Sequence, residues 1–321
     1  MKHQIFILFA FLSIVSCKKE SQLEKEIAQI DIDFTVERFD KAFGSATVSE
    51  LPKLKSAFPF MFSEKYSDSY WAEKIQDTLQ QQLHKESARV FDNFASEKEE
   101  IKKLFKHLRY YYPEFQTPRV ITTTSNVDYR NKVIVTDTIV LISIDTYLGS
   151  DHEFYQGIQK YLRKNFNKSQ IAVDLAKAYA EKYTYQQERK TLLDEMIYHG
   201  KLLYFKDVML PNTTDAEKIG YTNEELRWAF ENEDYIWRYF IEHELLYSTN
   251  SKLPNRFINP APFSKFYLEQ IDSESPGKIG QYIGWQIVKA YVNNNDISLK
   301  DLLSKDAKDI LNNANFKPHK Q

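Results

Sequence analysis

Glycine placement is the strongest constraint on this chain. Only eight glycines serve 321 residues, and three of them, Gly277, Gly280 and Gly284, fall in the single run "SPGKIGQYIGWQIVKAYV". That run predicts a helix over Pro276–Val292, with Ser275 as N-cap and Pro276 at the first helical position. Glycine inside a helix costs about 1 kcal/mol relative to alanine, so its presence calls for a packing or binding reason. Gly280 and Gly284 are four apart and share a face, which permits close contact with another backbone. A second predicted helix, Arg189–Phe205, carries Gly200 amid Leu192, Leu193, Met196, Ile197, Leu203 and Tyr204, where another backbone can also come close. The alternative for the Gly277–Gly284 run is a ligand at the helix N-terminus, but both glycine-rich phosphate-loop patterns are incomplete there. Lys278, Gln281, Gln286 and Lys289 exclude a membrane-spanning helix.

The rest of the chain reads as α+β, predominantly helical with a small β-meander. A strand is predicted at Asp33–Phe39, then helices at Ser49–Phe58, Tyr70–Phe91 and Ser96–Tyr111. In the second of these Trp71, Ile75, Leu79 and Leu83 form the apolar stripe, and in the third Ile101, Leu104, Phe105 and Leu108 do so. Strand-like segments follow at Arg119–Thr124, Lys132–Thr136 and Thr138–Ile144, and they suggest the meander. Further helices are expected at Ser169–Lys182, Thr222–Tyr247 and Ser298–Leu303. The lone cysteine, Cys17, rules out an intrachain disulfide, so a core rich in the 21 tyrosines and 22 phenylalanines must supply the stability.

Cys17 ends the run Ile14-Val15-Ser16-Cys17 after the apolar stretch Ile5–Leu12. With Lys2 as the positive n-region and a stretch too short to span a bilayer, residues 1–16 read as a lipoprotein signal peptide and Cys17 as the lipidation site. Cleavage there removes one lysine and no acid, taking the formal net charge from −2 to −3. No broad basic field remains for nucleic acid or for anionic lipid. Residues 17–29 are expected to be a lipidated N-terminus and solvated tether, and 30–321 a single globular domain. The absence of Asp at the second mature position points to the outer membrane rather than the inner one.

Two near misses to the zincin motif His-Glu-x-x-His occur. In "DEMIYHGK", Glu195 and His199 share a helix flank, but Asp194 and Tyr198 stand where the two histidines belong. A structural or surface pair is favoured over a metal site. In "IEHELLYST", His243 and Glu244 are present but Tyr247 takes the last ligand position, so neither segment completes a zinc site, and no metal or cofactor is expected. On a continuous Thr222–Tyr247 helix, Glu233 and Glu244 would project from the apolar face, with Lys265 or Arg256 as natural counter-ions. A break near Asn232 and fraying near Leu245 would free them instead. The proline-rich segment from Pro254 to Pro276 reads as a fixed loop, and Arg256, Lys265, Glu274, Ser275, Gly277, Gly280 and Gly284 form a candidate interaction loop. The aromatics of "RYYYPEF", Arg109–Phe115, serve either a docking surface or the core.

Several segments carry a family resemblance: the lipobox at Cys17, "VERFD" at Val36–Asp40, "IYHGKLLYF" at Ile197–Phe205, "GYTNEEL" at Gly220–Leu226, "NEDYIWRYFIEHELLYST" at Asn232–Thr249, "RFINPAPFSKFYLEQIDSESPGKIGQYIGWQIVKAYV" at Arg256–Val292 and "SLKDLL" at Ser298–Leu303. Together they resemble the gliding motility lipoprotein GldB family of the Bacteroidetes. The resemblance implies a lipid-anchored cell-envelope protein with protein partners in a gliding system linked to type IX secretion. A more distant similarity to zincin-type peptidases implies a degenerate, catalytically silent peptidase-like scaffold, with Glu195, His199, Glu233, His243 and Glu244 as the remnant cleft. The alternative is a zinc-dependent hydrolase with an atypical metal site.

Overall fold

The computed structural model describes residues 22–320, so the expected signal peptide and Cys17 lie outside the described residues. Four strands form one mixed sheet: β1 (Val36–Arg38), β2 (Arg119–Thr123), β3 (Val133–Val135) and β4 (Ile139–Ser143), in the order β1-β2-β4-β3. β2 runs parallel to both β1 and β4, and only β3 and β4 pair antiparallel. The α+β, mainly helical class holds, but the last three strands do not form a meander. β2 and β4 take the centre because they are apolar on both faces, with Val120, Ile121, Val140 and Ile142 fully buried, as parallel strands require. β3 takes the edge, with Ile134 exposed to solvent.

One sheet face, carrying Val120, Val140 and Ile142, packs with residues of the helices Ala95–Tyr111 and Gln170–Tyr183. The other, through Ile121, meets Phe39, Phe43, Leu51, Phe62 and Ile75. The predicted Tyr70–Phe91 helix is two helices, Asp68–Gln76 and Thr78–Val90. Asp77 breaks it: its backbone is extended and its carboxylate accepts the Gln80 N–H at 2.8 Å, the N-cap arrangement. The break turns Leu79, expected in the buried stripe, out to solvent at 73% exposure. The folded body also begins earlier than residue 30. Gln22–Ala28 is a helix, Ile27 is buried, and Lys106 Nζ donates to the Ala28 carbonyl.

The centre of the molecule is the helix Leu192–Met209, started by a capping box of Thr191 and Asp194. Its Leu202, Phe205 and Met209 belong to the core that includes the sheet. Leu192, Leu193, Met196, Ile197 and Leu203 belong to a second core with Phe240, Phe257, Tyr282, Ile283, Trp285 and Val288. A helix that is apolar on so many sides must be enclosed on most of its circumference.

That enclosure depends on the glycines. The helix Ile279–Asn294 packs against Leu192–Met209 more extensively than any other pair of elements. A Cβ on Gly284 would lie 1.9 Å from the Met196 carbonyl oxygen, and one on Gly200 would lie 2.4 Å from the Gly284 carbonyl oxygen. The two predicted close approaches are therefore one crossing, with Gly200 and Gly284 facing each other's helices. The start of the second helix differs from expectation. Lys278, in the left-handed region at φ 62°, is the N-cap, while Ser275 lies outside the helix. Ser275 is buried because its hydroxyl bridges the Ser264 backbone, accepting from Ser264 N–H and donating to Ser264 C=O.

Candidate functional site

Most of the residues singled out from sequence do not converge, although His199 and Gly277 meet at one cavity. Glu195 is held by Arg189, whose Nε and Nη2 donate to its two oxygens at 3.1 and 2.5 Å. His199 lies one turn on, with Nε2 3.8 Å from Glu195. Burial, then the positive charges of Arg189, Lys177, Lys278 and Lys206, push the imidazole down to about 3, so it is neutral and that contact is no ion pair.

The predicted Thr222–Tyr247 helix is broken at Asn232 into Asn223–Glu231 and Glu233–Glu242. Glu233 is nevertheless buried at 5% exposure. It accepts from Tyr282 Oη at 2.9 Å and from the His319 backbone N–H at 3.1 Å, which ties down the C-terminal tail. Burial raises its pKa against those hydrogen bonds. His243 packs on the Tyr239 ring at the helix end, and Glu244 is exposed with φ 54°.

The expected counter-ions go elsewhere. Arg256 donates to the Lys265 carbonyl at 2.8 Å and to Tyr239 Oη at 3.1 Å, and its guanidinium lies over the Phe257 and Tyr267 rings. It thus fixes the proline-rich loop on the helix Glu233–Glu242. Lys265 and Glu274 are exposed. Gly277 lets the chain pass Ala261, whose carbonyl oxygen would sit 2.2 Å from a Cβ, and Gly280 meets Ile258 and Phe257. Among the described residues, no group of three His, Asp or Glu side chains is placed to hold a metal ion. The donor set expected of a zinc peptidase is thus dispersed: Glu195 is engaged by arginine, and Tyr198 and Tyr247 stand where imidazoles are needed.

A cavity of ≈ 400 Å³ lies beside the central helix, and six lysines line it: Lys132, Lys164, Lys177, Lys206, Lys218 and Lys278. Among the described residues Asp174 is the only carboxylate in that lining, and His199, Gly277 and Gln281 also reach it. Four of the lysines have acidic partners: Lys132 with Asp174, Lys164 with Glu225, Lys177 with Glu181 and Lys218 with Asp207 and Asp215. Asp174 also accepts from Tyr147 Oη at 2.8 Å. Burial opposes its ionisation, but the Lys132 charge and hydrogen bonds outweigh this and hold its pKa below the ordinary range.

Lys206 and Lys278 differ from the other four. Lys206, 7% exposed, projects from the central helix and donates to the Lys218 carbonyl at 2.7 Å. Lys278 donates to the Ile219 carbonyl. Among the described residues neither has an ion-pair partner. Burial brings Lys206 down to about 7, with Asp174 opposing and Lys177 and Lys132 reinforcing the shift. Lys278 is likewise brought down to about 7 by burial and by Lys164 and Lys206. The chemistry offered is a set of ammonium donors facing a concave space, suited to an anion.

Sequence reasoning missed this cluster because its members span residues 132 to 278 and the chain's net charge of −2 conceals a local excess of cations. One signal was present. Lys206 shares a face with His199, Leu202 and Leu203 on a helix that is largely apolar, and a lysine there is either snorkelling or functional.

Among the described residues, no helix is long and apolar enough to cross a membrane. No curated protein and no solved structure matches the chain. A family model described as gliding motility protein GldB does match, over residues 20–318. The chain therefore belongs to the GldB family, with the role in gliding motility and the envelope association that the family carries.

Proposed function

We propose that this protein is an envelope lipoprotein, anchored through acyl chains on Cys17, that serves the gliding machinery by binding and assembly rather than by catalysis and is linked to type IX secretion. The observation that carries the reading is the engagement of Glu195 by Arg189, at 2.5 and 3.1 Å, in the place where a zincin-type peptidase needs a free carboxylate to activate water. A scaffold can keep a peptidase-like outline after losing that chemistry. Its protein partners would meet the proline-rich loop that Arg256 pins, where Tyr267, Leu268 and Ile271 are exposed. Acyl chains supply roughly 0.8 kcal/mol of membrane affinity per buried methylene, so more than one chain at Cys17 gives durable anchoring.

Two measurements test this. Cys17→Ala should move the protein from the membrane fraction to the soluble fraction and abolish gliding. Crosslinking from positions 265 to 271 in gliding cells should trap an envelope protein of the machinery. A Cys17→Ala protein that stays membrane-bound, or crosslinking that traps nothing, would overturn the reading.

A further inference from the structure

Going beyond the motility role, we propose that the lysine-lined cavity binds the phosphoryl group of a small phosphorylated molecule. Cavities of ≈ 400 Å³, as here, fall within the range of small-ligand sites. Six ammonium groups face one carboxylate across it, and the four lysines with acidic partners leave Lys206 and Lys278 as the uncompensated pair. They come from different elements, the central helix and the N-cap of Ile279–Asn294, so a ligand between them would join the two crossing helices.

Two lysines without ion-pair partners, each taking up its proton as an anion enters, match a dianion better than a single carboxylate. Among the described residues no arginine lines the space, whereas planar bidentate recognition of a carboxylate favours arginine, and lysine serves phosphate as a point charge. The N-terminus of the sixteen-residue helix adds its positive dipole end through Gly277, Lys278 and Gln281. Lys206 is buried without an ion-pair partner and donates only to a backbone carbonyl, so an anion in the cavity would offset the cost of burying its charge. Tyr129, Tyr161, Asn165 and Asn259 line the remaining wall and suit a polar or ring-bearing remainder.

The test is calorimetric titration of the full-length protein in detergent with inorganic pyrophosphate, alongside flotation with phosphatidylcholine vesicles carrying phosphatidic acid. Pyrophosphate should bind, and Lys206→Met and Lys278→Met should each weaken it roughly tenfold or more, while the exposed Lys308→Met leaves it unchanged. Thermal melts establish that each variant is folded, and Lys278→Met decides the matter if Lys206→Met is not. Binding of pyrophosphate assigns a free phosphorylated ligand. Binding to the vesicles alone, with the same dependence on Lys278, assigns a lipid headgroup, and both support the phosphoryl chemistry. Failure of both probes, equal weakening by Lys308→Met, or citrate binding as tightly as pyrophosphate would overturn it.

Discussion

Gly284→Ala isolates the feature on which the two-core architecture depends. On an unconstrained helix this change would stabilise by up to about 1 kcal/mol through propensity. Here the new Cβ would lie 1.9 Å from the Met196 carbonyl oxygen, 2.4 Å from its carbon and 3.0 Å from its Cα, whereas ordinary contact begins near 3.4 Å. The helices must separate by about 1.5 Å, and the obstacle is backbone that no rotamer change can move aside. Overpacking of this kind costs typically about 1–3 kcal/mol, and a clash with backbone belongs at the upper end. Separation also loosens the burial of Trp285, Ile287 and Val288, each fully enclosed. Net of the propensity gain, a loss of about 2 kcal/mol is expected, a large share of the stability of a typical domain. Urea unfolding followed by tryptophan fluorescence measures it as a lower midpoint at unchanged slope. Gly280→Ala is the internal comparison: its Cβ would meet the tip of the Ile258 side chain at 2.9 Å and the Phe257 carbonyl oxygen at 3.0 Å, a far smaller overlap with backbone, so it should cost less. A Gly284→Ala protein as stable as the parent, or more so, would refute the glycine crossing.

Other perturbations follow from the buried charges. Lys206 has a folded pKa of about 7 against an ordinary 10.5, so the penalty for burying it is present below pH 7 and is relieved as pH rises towards 10.5; Lys206→Met should therefore raise the melting temperature more at pH 6 than at pH 10, and an equal rise at both would contradict the assignment. Glu233 has its pKa raised above 4.5, so the stability it contributes is complete below that value and is lost as pH rises through the folded one. Glu233→Gln should flatten that fall in denaturant unfolding measured from acid to neutral pH, and an unchanged profile would count against its burial. Asp174→Asn leaves Lys132 without its counter-charge while retaining an acceptor for Tyr147, and should cost about 2–3 kcal/mol in the same assay; a change under about 0.5 kcal/mol would show the pair to be solvated.

The elements that sequence placed well are those with strong periodicity and a clear cap. Ala95–Tyr111 and Gln170–Tyr183 fall within a residue or so of expectation, because their apolar residues recur at helical spacing over several turns. Asp77 broke a helix expected to be continuous, whereas the break at Asn232 was one of the two alternatives the sequence left open. A short polar side chain or a local change of backbone ends a helix without disturbing the apolar stripe on either side. The strand order was not legible because segments read one at a time do not say which two will be neighbours. Only comparing the enclosed β2 and β4 with the half-exposed β3 explains why the chain crosses over rather than meandering. At the candidate site, sequence reached His199, Gly277 and the glycine crossing but not the lysines, since charges brought together from residues 132 to 278 have no spacing to read. The near-zincin segments were legible as incomplete. Their fate, with Glu195 closed by Arg189 and Glu244 turned to solvent, depends on tertiary neighbours.

Binding without peptidase chemistry is the claim on which the functional reading rests, and gliding itself measures it. Glu195→Gln and Glu244→Gln remove the two carboxylates that occupy the general-base position of the near-zincin segments while preserving side-chain volume. Glu195 gives up only a partly exposed ion pair, with exposures of 39% for Arg189 and 17% for Glu195, so the loss of stability should stay within about 1 kcal/mol. Colony spreading of a null strain complemented with the double variant should match that of the parent at equal protein level. Loss of spreading with the protein folded, membrane-bound and abundant would show that a carboxylate performs chemistry there, and would contradict a non-catalytic role.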